Sequence, residues 1–236
     1  MSYIFISDLH LDETSPDITQ AFLHFIENTA VDAEKLYILG DFFEVWLGDD
    51  HDNPFNQRIM TALASLSMPK FIMHGNRDFL IGQNFCEQTG FELLPDPTRL
   101  TLFNTPVLLM HGDSLCTRDE DYMEVRAMLR NPAFQAELLG KSLEERAAIA
   151  SDARSQSKQH TRESAMDIMD VTPSEVVRVM QTQNVPLLIH GHTHRPQIHD
   201  VPEVKGQRVV LGDWNTKGWY LDMDQNGFSL ESFPIT

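Results

Sequence analysis

Leu36-Tyr37-Ile38-Leu39-Gly40-Asp41 joins four apolar residues to a glycine and a carboxylate, and the fold follows from how that join is read. Four apolar residues are too few for a helix and show no polar face, so they read as a strand buried on both sides. The Gly-Asp pair then ends the strand in a turn. The same join recurs along the chain. Tyr3-Ile4-Phe5-Ile6 leads to Asp8-Leu9-His10, and Phe71-Ile72-Met73 leads to Gly75-Asn76-Arg77-Asp78. Val107 to Met110 leads to His111-Gly112-Asp113, and Pro186 to Ile189 leads to Gly191-His192-Thr193-His194. Strands that end this way set their polar clusters along one edge of a β-sheet.

Helical patterns lie between the strands. Ile18, Phe22, Phe25 and Ile26 form one stripe. Pro54 suits the first residue of a helix running to about Ser67, with Ile59, Leu63 and Leu66 on one face. A further helix passes through Phe85 and stops at Gly90. Arg99 to Phe103 and Val107 to Met110, split by Asn104-Thr105-Pro106, read as a hairpin. From Thr117 to about Met169 no strand pattern occurs and helix formers dominate, with Pro132 and Gly140 dividing the stretch into three or four helices. Thr172-Pro173-Ser174-Glu175 has capping-box form and opens a helix to about Gln183. Strands at Arg208 to Leu211, Gly218 to Leu221 and Phe228 to Phe233 follow. Together these patterns predict one α/β domain over residues 1–236, built of two packed sheets with flanking helices. Residues 117–169 form a helical insertion over the sheet.

The chain has 236 residues, 42% hydrophobic and 22% charged, the balance of a folded globular protein. A net charge of −17 argues against a general nucleic-acid binder, which needs a basic stripe, and against a polybasic membrane anchor. It does not bear on a site whose positive charge comes from bound ions. Cys86 and Cys116 form no CxxC and read as thiols in a reducing compartment. The first residues lack the features of a signal peptide, and no apolar run approaches 18 residues, so the expected location is cytoplasmic.

Seven residues in the strand-end clusters are of metal-binding type: Asp8, His10, Asp41, Asn76, His111, His192 and His194. Residues at i and i+2 of an extended chain point the same way, so Asp8 and His10 can reach one ion. Carboxylate, amide oxygen and imidazole donors suit a borderline divalent ion such as Mn²⁺. Asp41 can bridge two ions with its two oxygens. Structural zinc sites favour thiolates, and no cysteine lies near these clusters. A lone D-x-H is ordinarily a surface loop; five such clusters, each at a strand end, point to a two-metal hydrolase of phosphate esters or anhydrides.

In that order, D-x-H, G-D, G-N-x-D, H-G-D and G-H-T-H resemble the calcineurin-like metallophosphoesterase superfamily. Longer stretches resemble one family within it, the UDP-2,3-diacylglucosamine diphosphatases of lipid A biosynthesis. These are Ser7 to Leu11, Leu39 to Asp50, His74 to Leu80, Met110 to Thr117, Ile168 to Val171 and Ile189 to Pro196. The resemblance runs from Ser7 to about Trp214. It implies a four-layer α/β/β/α sandwich with residues 117–169 as a lipid-binding cap. It also implies two Mn²⁺ ions, one held by Asp8, His10, Asp41 and His194, the other by Asp41, Asn76, His111 and His192. The implied reaction is Mn²⁺-dependent hydrolysis of UDP-2,3-diacylglucosamine to 2,3-diacylglucosamine 1-phosphate and UMP. Metal-activated hydroxide would attack phosphorus, on the UMP side in that family. The implied location is the cytoplasmic face of the inner membrane, held peripherally, with no nucleic acid and no obligate protein partner.

Many phosphatases of the superfamily carry histidine after the Gly-Asn, a general acid for the leaving group. Arg77 stands there in this chain. Arginine does not readily give up its proton, but it clamps phosphate and stabilises charge in the transition state. Arg77, with Asn76 and Asp41, is therefore expected in catalysis, unless it is spent on a salt bridge to Asp78.

By resemblance, Asn76, Arg77 and His192 also touch substrate. Asp119 with Tyr122, and Arg154 with Ser157, stand at i and i+3 and would each share a helix face; by resemblance Asp119 and Ser157 would meet the glucosamine or its acyl amide, with Tyr122 and Arg154 nearby and Thr161 on the face of Ser157. Ser164 stands where the family often has lysine, with Lys158 and Arg162 the nearest bases. Phe42, Phe43, Val45, Trp46 and Leu47 either guide acyl chains or pack the core. Leu138, Leu139, Leu143 and Ile149 fit core packing better than an acyl pocket or membrane contact. His24, His51, His160 and His199 read as surface residues, and His74 and His190 as partners that steady the ligands. Two other functions suit the same clusters: a soluble phosphodiesterase or nucleotide phosphatase, and a non-catalytic scaffold, which would be expected to lack ligands.

Overall fold

The computed structural model describes the backbone of residues 2–163 and 170–236, and the side chains of all of these except 157–163. Eleven strands run in chain order as β1 (Tyr3–Ile6), β2 (Lys35–Ile38), β3 (Lys70–Met73), β4 (Phe91–Leu94), β5 (Thr98–Leu102), β6 (Thr105–Met110), β7 (Leu187–His190), β8 (Gln197–Val201), β9 (Gly206–Val210), β10 (Lys217–Asp224) and β11 (Gly227–Pro234). The helices are α1 (Pro16–Asn28), α2 (Pro54–Ala64), α3 (Gln83–Thr89), α4 (Glu120–Leu129), α5 (Pro132–Leu139), α6 (Leu143–Glu163) and α7 (Pro173–Gln183).

Two sheets form, in the orders β11-β10-β1-β2-β3-β4 and β5-β6-β7-β9-β8. Phe5, Tyr37 and Leu221 of the first sheet pack against Leu109, Ile189 and Val209 of the second. On the outer face of the first sheet, α1 to α3 bury Phe22, Phe25, Ile59 and Phe85. On the outer face of the second, α7 buries Val176 and Met180 against Leu108 and Leu188. These three apolar layers make the α/β/β/α sandwich. Strands β1, β2 and β3 run parallel, as do β6, β7 and β9, so their carboxyl ends share one edge of each sheet. Crossover connections of this kind characteristically leave binding residues beyond those ends.

Local chemistry accounts for the boundaries. Pro54 opens α2 behind Asn53, whose side chain accepts the Asn56 N–H at 2.7 Å. That helix ends at Ala64 rather than Ser67, because the buried Lys70 ammonium donates to the carbonyls of Leu63 and Leu66. Gly90 closes α3 in the left-handed conformation. Strands β4 and β8 were not expected from the sequence: their burial alternates weakly, and both are edge strands. Thr172 does precede α7, but its capping box is absent. Its hydroxyl accepts from Thr117 and the Glu175 carboxylate pairs with Arg178. A capping box does form at Ser142-Leu143-Glu144-Glu145, where Glu145 accepts the Ser142 N–H and Ser142 accepts the Glu145 N–H.

Between 117 and 169 the described residues form three helices, α4 to α6, with Pro132 starting α5 and Gly140 ending it. Leu138 is buried, but Leu139 and Ile149 are exposed and Leu143 half-buried, so core packing claims only the first. Phe42, Phe43, Trp46 and Leu47 are all buried, most of them against Phe22 and Phe85, and belong to the core rather than to an acyl path. Cys86 and Cys116 are buried free thiols.

Candidate metal centre

The seven strand-end donors converge from five loops. Asp8 and His10 follow β1, Asp41 follows β2 and Asn76 follows β3; His111 follows β6, and His192 and His194 follow β7. In one group, His10 Nε2 faces His194 Nε2 at 3.4 Å, and His194 Nε2 stands 3.5 Å from Asp8 Oδ1. In the other, Asn76 Oδ1 is met by His111 Nε2 and His192 Nδ1, each at 3.1 Å. Asp41 Oδ2 joins the two, 3.9 Å from His10 Nε2 and 3.8 Å from His111 Nε2. Only Oδ2 of Asp41 faces both groups; the sequence alone left both of its oxygens free to serve two ions. Asp41 Oδ1 is already occupied, accepting the Arg77 N–H at 2.8 Å.

Asp8–His10–His194 and Asp41–His111–His192 each bring their donor atoms within 4.8 Å of one another. Oxygen and imidazole donors without thiolate fit a borderline divalent ion in each group.

Backbone strain marks the site. Asp8, His10, Asp41, His192 and His194 all have φ between 50° and 68°, the left-handed region that non-glycine residues rarely occupy. Such strain persists only where the surroundings over-determine it, and it clusters at functional sites. Hydrogen bonds between loops supply the constraint: Asp8 N–H to Gly40 O, His10 N–H to Asp41 O, Gly191 N–H to His111 O and Trp214 N–H to Asp8 O. Gly75 and Gly191 are needed for close approach, since a Cβ there would overlap the carboxylates of Asp41 and Asp8 respectively.

Further groups aim the donors. Asp78 accepts N–H bonds from Gly75 (2.7 Å), Phe42 (2.8 Å) and Asp41 (3.3 Å), tying the loops after β2 and β3 together. Both its oxygens are thereby used, and the alternative of an Arg77–Asp78 salt bridge is not found. Ser7 Oγ donates to Asp8 Oδ2 at 2.5 Å, and His192 N–H points at both Asp8 oxygens. His111 Nδ1 lies 2.9 Å from Leu39 O, His10 Nδ1 2.9 Å from Glu44 Oε2, and His194 Nδ1 3.7 Å from Asp213 Oδ2. Imidazoles whose second nitrogen faces an acceptor are typical of metal sites. Of the two histidines expected to steady the ligands, His190 faces the carbonyl of Gly191, next to His192, and His74 faces that of Ile81. Glu44 and Asp213 were given no role from the sequence, although Glu44 lies inside a quoted motif, and Asp78 was weighed only as a salt-bridge partner of Arg77.

The electrostatics suit cations. Burial alone would lower the pKa of His111, but the charges of Asp41, Asp113 and Asp8 outweigh it and raise it to about 9. His194 is likewise raised to about 9, burial being overcome by its hydrogen bond to Asp8 and by Asp8, Asp213 and Asp41 charge. Burial and the neighbouring His111 charge lower His192 to about 4. Burial and the Asp41 charge push Asp78 up to about 6, a repulsion that a cation on Asp41 removes. In the ion-free protein the protonated His111 and His194 add stability that is complete below about pH 6.5 and lost as pH climbs through 9. Ion binding needs both rings neutral, so loading displaces their protons. Titrating the ion-free protein with Mn²⁺ at pH 7.5 in dilute buffer should release protons from His111 and His194, with His10, whose pKa is also raised, adding to them. Apparent affinity should rise with pH up to about 9. An indicator dye that records no release would contradict this proton inventory.

The residues expected to meet substrate fall out differently. Arg77 is half-buried on the loop that carries Asn76, and its guanidinium makes no ion pair among the described residues. Tyr122 donates to Asp113 Oδ2 at 3.2 Å, with its ring 5.5 Å from that of His192. Asp119 is buried as the N-cap of α4, accepting the Tyr122 N–H at 3.0 Å, rather than pairing with Tyr122 along a helix face. Arg154 places Nε 2.7 Å from Glu44 Oε1. The side chains of Ser157 and Thr161, and Ser164 altogether, lie outside the described residues, as does the His160 ring. Of the other surface histidines, His24 is exposed, and His51 and His199 are half-buried.

Comparisons with known proteins agree with the geometry. The family model for calcineurin-like phosphoesterases matches residues 1–196. A UDP-2,3-diacylglucosamine hydrolase of Stutzerimonas stutzeri (strain A1501) is 52% identical over 239 residues, covering 99% of both chains. One from Pseudomonas aeruginosa (strain UCBPP-PA14) is 51% identical over 240 residues, covering 100% of both. Among solved structures, an archaeal phosphodiesterase superposes with a TM-score of 0.52 at 13% identity, over 99% of this chain and 100% of that one. At that identity the likeness speaks for the fold alone.

Proposed function

The chain belongs to the calcineurin-like phosphoesterases and, within them, to the UDP-2,3-diacylglucosamine hydrolase family, and from that premise we propose that it hydrolyses the diphosphate bond of UDP-2,3-diacylglucosamine with Mn²⁺. The products are 2,3-diacylglucosamine 1-phosphate and UMP. One observation carries the reading: two groups of nitrogen and oxygen donors share Asp41 Oδ2, and the next loop presents Arg77 with no ion pair among the described residues. Asp8, His10, Asp41 and His194 would hold one ion, and Asp41, Asn76, His111 and His192 the other. Two divalent ions held there would supply Lewis acidity at phosphorus and lower the pKa of a bound water.

The chain's own residues do the rest. Asp41 Oδ1 accepts the Arg77 N–H while Oδ2 faces both donor groups, so the carboxylate that would serve the ions and the Arg77 loop are positioned together. Asn76 and Arg77, adjacent on that loop, address the same phosphate, and Asp78 holds the loop still. A guanidinium is a poor proton donor, so the part of Arg77 is to stabilise negative charge rather than to hand over a proton. A nucleotide or sugar phosphate leaves readily enough without that proton. The cap exposes Val125, Met128, Leu139 and Ile149, which supports acyl-chain contact and peripheral association with the cytoplasmic face of the membrane. No helix among the described residues is long and apolar enough to cross a membrane.

The deciding assay compares UDP-2,3-diacylglucosamine with UDP-N-acetylglucosamine, with and without Mn²⁺. Turnover should need Mn²⁺ and the acyl chains. Arg77→Ala should lower kcat/KM by about 10²–10³-fold, the usual loss for one transition-state donor. Equal cleavage of the unacylated sugar nucleotide would make the protein a general phosphodiesterase, and no Mn²⁺-dependent turnover would make it a scaffold. Hydrolysis in ¹⁸O-water should put the label in UMP; label only in the sugar phosphate would reverse the side of attack.

A further inference from the structure

Two arginines of α6 reach down to one stretch of the core, residues 44–50. Arg146 donates from Nη1 to Leu47 O and Asp50 Oδ1, both at 2.6 Å, and from Nη2 to Asp50 Oδ2 at 2.5 Å. Eight residues further on, about 12 Å along the helix axis, Arg154 Nε stands 2.7 Å from Glu44 Oε1. The other oxygen of Glu44 is 2.9 Å from His10 Nδ1, and His10 Nε2 is one of the donors that face Asp41 Oδ2. Three side chains thus link a cap helix to a metal donor.

The middle member of that chain is held independently of the cap. Glu44 N–H bonds Leu11 O at 3.1 Å, Leu11 N–H bonds Phe42 O at 2.9 Å, and Leu11 pairs with Phe43 in a parallel bridge. Glu44 therefore stays beside His10 whether or not α6 is seated. What α6 adds is the guanidinium. Glu44 is only 9% exposed, and a carboxylate so placed needs its partners. At these distances neither His10 Nδ1 nor Arg154 Nε is aligned as a hydrogen-bond donor, so both contacts are electrostatic. Glu44 lies between the imidazole and the guanidinium, with one oxygen toward each.

We infer that Arg154 is a positioning residue: through Glu44 it orients the His10 imidazole, so that seating α6 and completing the Asp8–His10–His194 site are coupled events. The inference rests on reading the donor groups as a divalent metal centre. Linkage makes the coupling reciprocal, so a seated cap tightens that ion by the factor by which the ion tightens the cap. With α6 unseated, the Asp8–His10–His194 site would hold its ion less firmly.

The test is Mn²⁺ binding to the ion-free, full-length protein without substrate, following the EPR signal of free Mn²⁺. Wild type should take up two ions. Arg154→Ala should weaken one of them about 10-fold, the lower end for loss of a group behind a ligand, and leave the other unchanged. Arg154→Lys should recover most of the loss. In a Glu44→Gln background, Arg154→Ala should add nothing. Wild-type-like binding by Arg154→Ala, or losses that simply add in the double variant, would overturn the inference while leaving the metal centre standing. Failure of the wild type to bind Mn²⁺ would remove the metal-centre reading and this inference with it. Arg154 is 34% exposed, so its variants should fold, and the retained second ion reports that they have.

Discussion

Asp41→Ala should reduce turnover on the order of 10⁴-fold or more, the scale seen when a group that others cannot replace is removed. The size follows from one atom. Asp41 Oδ2 lies 3.9 Å from His10 Nε2 and 3.8 Å from His111 Nε2, so it is the donor common to both groups. Its loss takes a ligand and a negative charge from two sites at once. Asp41 Oδ1 also holds the Arg77 N–H, so alanine frees the phosphate-binding loop as well. Asp41→Asn separates these parts, since the amide oxygen can keep the Arg77 contact but the charge is gone. Asparagine should therefore bind Mn²⁺ poorly yet keep the loop, and its kcat should lie between alanine and wild type. Steady-state kinetics with Mn²⁺ titration reads both effects. Wild-type-like rates in Asp41→Ala would refute a shared-ligand centre.

Much of that centre was legible in the sequence because strand ends and ligand clusters coincide. Leu36 to Asp41 reads as a buried strand stopping at a carboxylate, and β2 stops at Ile38 with Asp41 at the site. That only Oδ2 of Asp41 faces both groups was not legible. It depends on the Arg77 N–H claiming Oδ1, a contact across 36 residues of chain that no local pattern encodes. The left-handed φ angles at Asp8, His10, Asp41, His192 and His194 were equally hidden, because strain is imposed by neighbouring loops and not by residue type. Arg154 shows a further limit. Spacing placed it on a helix face with Ser157, but which carboxylate it would meet was set by how α6 lies over residues 44–50. Glu44 and Asp213 stayed unassigned for the same reason: a carboxylate near a motif acquires its role only when a particular ring nitrogen turns toward it.

Asp113→Ala should release α4 from the core while leaving the two sheets folded. Helix α4 buries no residue fully, so apolar packing contributes little to its attachment and polar contacts decide. Those contacts converge on Asp113, itself fully buried: Arg126 Nε at 2.9 Å, Tyr122 Oη at 3.2 Å and Arg130 Nη2 at 3.6 Å from Oδ2. Burial would raise the pKa of Asp113, but the charges of His111, Arg126, His192 and Arg130 hold it well below the ordinary carboxylate range. Removing one partner of a buried ion pair typically costs about 3–5 kcal/mol, because the other charge is left uncompensated. Here Asp96 remains 3.5 Å from Arg126 and recovers part of the loss, so about 3 kcal/mol is the better expectation. Concentrated in one helix, that raises local opening on the order of 100-fold. Hydrogen exchange should show it in the amides of Glu120–Leu129, with those of β1, β2 and β7 unchanged. The loss should also lower the pKa of His111, since Asp113 is one of the charges that raise it, and proton release on Mn²⁺ loading should then shrink at a given pH. Uniform loss of protection through the sheets would mean that Asp113 supports the whole fold, and unchanged exchange in α4 would mean that the helix is held by something other than this carboxylate.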